Sequence, residues 1–311
     1  MVKRIFSCIP VLFVVITLIF FMMRIIPGDP AMNILGEDAD PADVEALRER
    51  MGLNDPLSVQ YVKYLSGIVR GDWGTSLYNN VSVFENIRSR LEPTILLTIY
   101  SVTLSVLFGV PIGIIAARKR NSLADYSLTF LSAVGMSAPG FWVGLMMVFY
   151  FGVQLRWFPV QGYTFIADGG LKGALYSLTM PAIAYALSYV SSLARYTRTM
   201  MLDVINNDYI RTARAKGLIE GKVYYKHALK NALAPVVTNI GFSIAGLLGG
   251  STIAETVFNI PGMGKLTYDS LMRRDYTQQQ ANLLLTTIIL LVTNIILDIV
   301  YKMLDPRIEF D

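Results

Sequence analysis

Residues 5–23 read IFSCIPVLFVVITLIFFMM, a run without a single charge. Crossing about 30 Å of hydrocarbon takes about 20 apolar residues, and a chain in lipid satisfies its own backbone groups only as a helix or a closed barrel. Lys3 and Arg4 precede the run, and Arg24 follows it, placed to snorkel towards an outer interface. A cleaved signal peptide is the competing reading. The run is long for a signal core, however, and Pro27-Gly28-Asp29-Pro30 puts prolines where a cleavage site needs small residues. An uncleaved helix from about Ile5 to Ile26 is therefore expected.

The rest of the chain repeats the pattern. Of its 311 residues 53% are hydrophobic and only 16% charged, against roughly a quarter charged in a soluble domain. Further spans are expected at about Pro93–Ala117, Tyr126–Phe151, Ala174–Ala194, Ala232–Ala254 and Leu283–Leu304. The chain then divides into a first helix (1–27), an external cap segment (28–92) and a five-helix core (93–311). Within the cap, Asp40, Pro41 and the spacing of Val44, Leu47 and Met51 predict one amphipathic helix ending at Gly52.

The net charge of +4 does not point to nucleic acid. The basic residues cluster at 3–4, 118–120, 195–230 and 302–307, in alternate loops beside the spans, and this distribution puts both termini in the cytoplasm. The single cysteine, Cys8, has no partner for a disulfide or a cysteine metal site, and His227 is the only histidine. Gly109/Gly113, Gly140/Gly144 and Gly246/Gly250 are small-xxx-small pairs that let helices approach closely in lipid. Pro111, Pro139 and Pro181 fit either ordinary bundle packing or spans that flex.

The long basic loop, 198–234, contains NNDYIRTARAKGLIEGKVYYKHALKNALA at 206–234. Its pattern is helical up to Lys216, Gly217 is a natural stop, and a second short helix is expected from Glu220 to Asn231, before Pro235 opens the fifth span. Arg211, Arg214, Lys216, Lys222, Lys226 and Lys230 fit a purely topological, lipid-binding role. Thr212, Ala213, Ala215 and Gly217 around the turn fit close approach of another protein. Both readings stand on pattern alone.

Asp208-Tyr209-Ile210-Arg211-Thr212-Ala213-Arg214-Ala215-Lys216-Gly217 resembles the "EAA" loop of ABC importer permeases of the dipeptide, oligopeptide, glutathione and nickel type. Arg211-Thr212-Ala213 stand where Glu-Ala-Ala would sit. Pro27–Pro30, the segment around Gly71-Asp72-Trp73-Gly74, and Glu255-Thr256-Val257-Phe258-Asn259-Ile260-Pro261-Gly262-Met263-Gly264 are similar to other motifs of that family, in matching order. The resemblance implies an all-α integral membrane protein, a six-transmembrane-helix permease of the type I importer fold in a bacterial or archaeal (inner) membrane. It also implies a coupling loop (Asp208, Tyr209, Arg211, Thr212, Ala213, Arg214, Ala215, Gly217) seated on a cytoplasmic ATPase. The implied partners are a second homologous permease, two ABC ATPases that bind ATP and Mg, and an external solute-binding protein. Glu255, Phe258, Pro261, Gly262 and Gly264 are expected to contact that protein or form the outer gate.

No chemistry of its own is expected. Gly262-Met263-Gly264-Lys265-Leu266 is a decoy for a phosphate loop, with Asn259 where the upstream glycine belongs and no following hydroxyl. Asp298 invites a proton-relay reading, but Lys302 offers it an i,i+4 partner. Ser137, Tyr185, Ser188, Tyr189, Asn239 and Ser243 are candidates for an uncharged substrate pathway, with interhelical hydrogen bonding the alternative role. Without buried charge, such a pathway is expected to leave specificity to the binding protein. Di- and oligopeptides are the expected cargo, with glutathione or nickel as alternatives. A stand-alone secondary transporter is the reading from another class, and it lacks the expected inverted repeats.

Overall fold

The computed structural model describes residues 2–25, 28–36 and 38–304. Ile26 and Pro27, at the expected end of the first span, and the basic tail at 305–307 lie outside the described residues. The fold is helical, and among the described residues the one β-contact is an isolated bridge between Thr75 and Ser82.

The first helix, α1 (Val2–Ile25), is followed by three helices of the polar segment: α2 (Pro30–Leu35), α3 (Pro41–Arg50) and α4 (Leu57–Arg70). The expected amphipathic helix is α3. Asp40 caps it by accepting the Ala42 N–H at 2.9 Å, and Val44 is its buried residue. The segment folds back onto α1. Tyr61 shares a hydrogen bond of 2.6 Å with Thr17, and Arg24, its guanidinium over the Phe20 ring, donates to Gln60.

Two long helices form the axis. α5 (Val83–Arg118) has 36 residues, and α8 (Ile166–Ile205) has 40 with one non-helical residue, Gly170. They run side by side in the same direction. The Ile166 N–H meets Glu92 at one end, Gly109 and Gly113 meet Val190, Leu193, Ala194 and Thr197 midway, and Ile114, Ala117 and Met201 share a cluster at the other end. A Cβ at Gly113 would stand 2.5 Å from the Ala194 carbonyl oxygen, so the pair predicted from Gly109/Gly113 is a true backbone-to-backbone contact.

Between them, α6 (Leu123–Ser137) runs back from the far end, and α7 (Gly140–Met147) continues as a π-helical turn, Val148–Gln154. The expected third span is broken at Pro139 and bent by 91°. Ala138 is extended because the ring of Pro139 disfavours a helical conformation before it. The chain continues through α9 (Asp208–Ala215) into α10 (Glu220–Lys222), a π-helical turn Val223–Ala228, and α11 (Leu229–Gly250). These last three form one helix, so the expected stop before Pro235 does not occur. Two short helices, α12 (Thr252–Val257) and α13 (Met263–Met272), precede α14 (Tyr276–Leu304).

Among the described residues four helices are long and apolar enough to cross a membrane, five if the bent pair is one span. α8 is not among them. Its buried positions are largely Ala, Ser and Thr, because it faces other helices rather than lipid. α5 and α14 both begin before the expected span boundaries, their charged or amide-rich first turns lying ahead of the apolar run. α5 passes unbroken through the 92/93 boundary.

Asp125, at the start of α6, is buried and takes both Nε (2.6 Å) and Nη2 (2.8 Å) of Arg198 on α8. Removing one partner of a buried pair leaves the other charge uncompensated. Asp125→Ala is therefore expected to destabilise the fold by about 3 kcal/mol, and replacing Arg198 as well, by Leu, to recover part of it. Thermal unfolding of the purified variants in detergent reads both.

Candidate functional site

α5 has cap-segment contacts at its first turns and hairpin contacts at its last. At about 1.5 Å per residue these ends lie some 50 Å apart, and two constructions occupy them.

At the far end, α9 sits on a cluster of Ile114, Ala117, Met201, Ile210, Val223, Tyr224, Ala228 and Ala232. Ile210 is fully buried and Ala213 nearly so. The opposite face carries exposed Asp208, Arg211, Thr212 and Ala215. Gly217 has φ 77° with open space around it, so the turn needs glycine for its left-handed backbone, not for room. Arg214 forks onto Glu220 (Nε–Oε1 2.8 Å), a hydrogen bond that holds its guanidinium pKa above the usual range and ties α9 to α10. Asn231 donates to the Tyr209 hydroxyl at 2.9 Å. Beside the turn Ile219 is 68% exposed, and Tyr209 and Tyr225 also show large exposed areas. Seven of the eight expected hairpin residues thus lie at the surface. Ala213 is the exception, and packs inward.

At the cap end, Glu255 has 0% exposure. Its Oε1 accepts the hydroxyls of Thr94 (2.7 Å) and Ser251, and its Oε2 accepts the Lys265 N–H at 2.9 Å. Thr94 in turn accepts the Met263 N–H at 2.8 Å. The carboxylate therefore caps the N-terminus of α13 from α12, where the helix dipole favours negative charge. A Cβ on Gly262 would overlap this carboxylate, and one on Gly264 would stand 2.5 Å from the Thr252 nitrogen. Phe258 is buried against Gly144, and its carbonyl accepts the Gly162 N–H. Of the residues expected to contact a binding protein or form the outer gate, Glu255, Phe258, Gly262 and Gly264 are buried and Pro261 is partly exposed. They hold the loop's shape.

Midway, Ser188, Tyr189 and Ser192 of α8 and Asn239, Phe242 and Ser243 of α11, with Met136, line a cavity of about 410 Å³. Four of the six expected pathway residues meet there. Tyr185 does not line it. Its hydroxyl accepts the Ala254 N–H at 3.1 Å, beside Glu255. Ser137 is exposed and bonds back to the Ala133 carbonyl. Ser192 escaped the sequence reading, although it lies one helical turn from Ser188, and that spacing would have found it. No group of three or more metal-ligating side chains occurs among the described residues.

Residues 109–310 match the family described as binding-protein-dependent transport system inner membrane component, and residues 1–98 match the N-terminal family of such membrane components. The chain belongs to the inner-membrane permease family of binding-protein-dependent ABC transport systems. A probable peptide ABC transporter permease, y4tP of Sinorhizobium fredii, is 41% identical over 308 residues, covering 99% of this chain and 98% of its own length. The oligopeptide permease AppB of Bacillus subtilis is 41% identical over 311 residues, and the glutathione permease GsiC of Escherichia coli K12 is 41% identical over 309, with the same coverage. An inward-facing methionine ABC transporter, MetNI, shares the fold at TM-score 0.59 and 17% identity, over 71% of this chain and 97% of that one. The resemblance carried by the four motifs is thus shown along nearly the whole chain. In this family the membrane component is not catalytic, and the ATPase is a separate subunit. The chain is an integral membrane permease subunit of an ABC importer.

Glu255→Ala leaves the Thr94 and Ser251 hydroxyls and the Lys265 N–H without their acceptor. With hydrogen bonds to charged groups at about 1.5–3 kcal/mol each, a loss of about 3 kcal/mol or more is expected, read as a lowered unfolding temperature in detergent.

Proposed function

We propose that the chain is one of two permease subunits of an importer of di- and oligopeptides, working with two ABC ATPases that bind ATP and Mg and with an external binding protein. Its expected topology is six spans with both termini in the cytoplasm. The alternating course of α5, α6–α7, α8, α10–α11 and α14 between the two ends, after α1, supports that count. On this reading 1–27 is the first span, 28–92 the external cap, and 93–311 the permease core. The cap boundary marks a membrane side, not a break in a helix.

The observation that carries the proposal is the two-faced α9. Ile210 and Ala213 anchor it in the bundle, and Asp208, Arg211, Thr212 and Ala215 stand clear on its outer face. A short helix fixed on one side, with charged and small residues on the other, suits seating in a groove of a partner. Loop 198–234 then receives the motion of ATP-driven closure and tips the spans, while the Glu255 capping box keeps the external loop in one shape. Peptide cargo rests on the peptide, oligopeptide and dipeptide permeases among the relatives. Glutathione, named for other relatives, is itself a tripeptide and falls within the same chemical class.

Ala215→Trp and Thr212→Trp are expected to release the ATPase subunits from the co-purified complex and to lower peptide uptake about tenfold or more, with membrane insertion intact. Normal uptake together with normal co-purification would count against the coupling role. Ala213→Trp is expected to behave differently, lowering the yield of folded protein by overpacking the cluster beneath α9.

A further inference from the structure

The open cavity between α8 and α11 is lined by hydrogen-bonding groups without charge. Ser188 and Ser192 lie one turn apart on α8, Asn239 and Ser243 one turn apart on α11, and Tyr189 stands beside them. The Ser243 hydroxyl bonds back to the Asn239 carbonyl at 2.9 Å. The hydroxyls of Ser188, Tyr189 and Ser192 and the side-chain amide of Asn239 make no hydrogen bond among the described residues. All four residues are partly exposed, so their polar groups are accessible to a ligand that enters the space. Met136 and Phe242 supply apolar wall. At about 410 Å³ the space falls within the ~300–1,000 Å³ of small-molecule sites.

We propose that this cavity is a binding site for the backbone amide groups of the transported peptide, with Asn239 and Tyr189 as its specificity-determining residues; the inference rests on the peptide-importer reading above. Each peptide unit has one N–H donor and one C=O acceptor. A carboxamide offers an acceptor and a donor in one plane, so Asn239 can hold the N–H and C=O of one extended residue, which point the same way, through two hydrogen bonds, and the hydroxyls can turn to donate or accept. A lining that carries no charge makes no demand on side-chain charge, and it gives no carboxylate, imidazole or thiolate to a metal ion. Such a site recognises the feature that all peptides share and ignores their sequence. It differs from a pathway that only lets substrate pass: contact is made, weakly, to the backbone.

The test uses the complete transporter in detergent without its binding protein. Equilibrium binding of radiolabelled trialanine is compared with that of trialanine methylated at both peptide nitrogens, which loses the donors and keeps the carbonyls. The wild type is expected to bind trialanine about tenfold more tightly. Asn239→Leu is expected to lose that preference and Tyr189→Phe, nearly isosteric, to weaken it, with ATPase co-purification showing that both variants are assembled. Equal affinity of the wild type for the two peptides, or an undiminished preference in both variants, overturns the proposal. So does the absence of binding by a complex that imports trialanine normally. A complex that imports no peptide at all fails the peptide-importer reading itself, and uptake therefore separates the two failures.

Discussion

The contact between α5 and α8 is the constraint from which the other positions follow. Gly109 and Gly113 have no room for a side chain, because the carbonyls of Val190 and Ala194 occupy the space at 3.0 and 2.5 Å from where a Cβ would be. Two helices of 36 and 40 residues are thereby locked in register along most of their length. In lipid no hydrophobic force drives helices together, so close backbone approach and complementary packing must do so. The hairpin, the Glu255 network and the cavity are then hung on this pair. The hairpin rests on Ile114, Ala117 and Met201, the Glu255 carboxylate on Thr94, and the cavity on Ser188, Tyr189 and Ser192.

Glu255 shows how a charged residue in a conspicuous motif can be structural. An acid at the end of an apolar run invites an exposed role, but here the side chain is directed inward and satisfied by two hydroxyls and one backbone N–H. It does at the start of α13 what Asp40 does at the start of α3, except that its own helix is α12 and the cost of burial is offset by the dipole of the next helix. Gly262 and Gly264 belong to the same device, since side chains there would collide with the carboxylate and with the Thr252 backbone.

The spans were legible wherever a helix faces lipid, because lipid exposure demands a continuous apolar run. Thus α1, α5, α11 and α14 were placed from hydropathy alone, with ends displaced where helix continues past the apolar stretch, as at Val83 and Tyr276. α8 was legible from its flanks more than from its own composition, being Ala- and Ser-rich for burial between helices. The bend at Pro139 was not placed: a proline beside a span marks a place for a kink but does not give its angle, which depends on neighbours such as Phe258 packed on Gly144. The hairpin turn at Gly217 was legible from one residue. That Ala213 faces inward while Thr212 and Ala215 face out could be read from Ile210, which lies three residues earlier on the same face, with Asp208, Arg211 and Arg214 marking the rest of the helix as polar. Of the cavity, the individual polar residues could be chosen by type, but which of them converge depends on the rotation of α8 against α11, a tertiary quantity.

That rotation has a local determinant. Helix runs without interruption from Glu220 to Gly250, and at about 1.5 Å per residue Asn239 lies roughly 28 Å from Glu220. Within it Val223–Ala228 form a π-helical turn, which accommodates an extra residue. At 3.6 residues per turn, one extra residue rotates everything beyond it by about 100° relative to an uninterrupted α-helix. The turn therefore decides that Asn239 and Ser243, and not their neighbours a quarter-turn away, look towards Ser188 and Ser192. Its inward side chains, Val223 and Tyr224, are in the same cluster as Ile210 of α9, and Arg214 clasps Glu220 at its beginning. The exposed helix α9 is thus joined to α11 through a segment whose hydrogen bonding departs from the α pattern. A change in that segment would be felt in the cavity as rotation as well as tilt. Hairpin and cavity are in this sense two ends of one element, packed along α8.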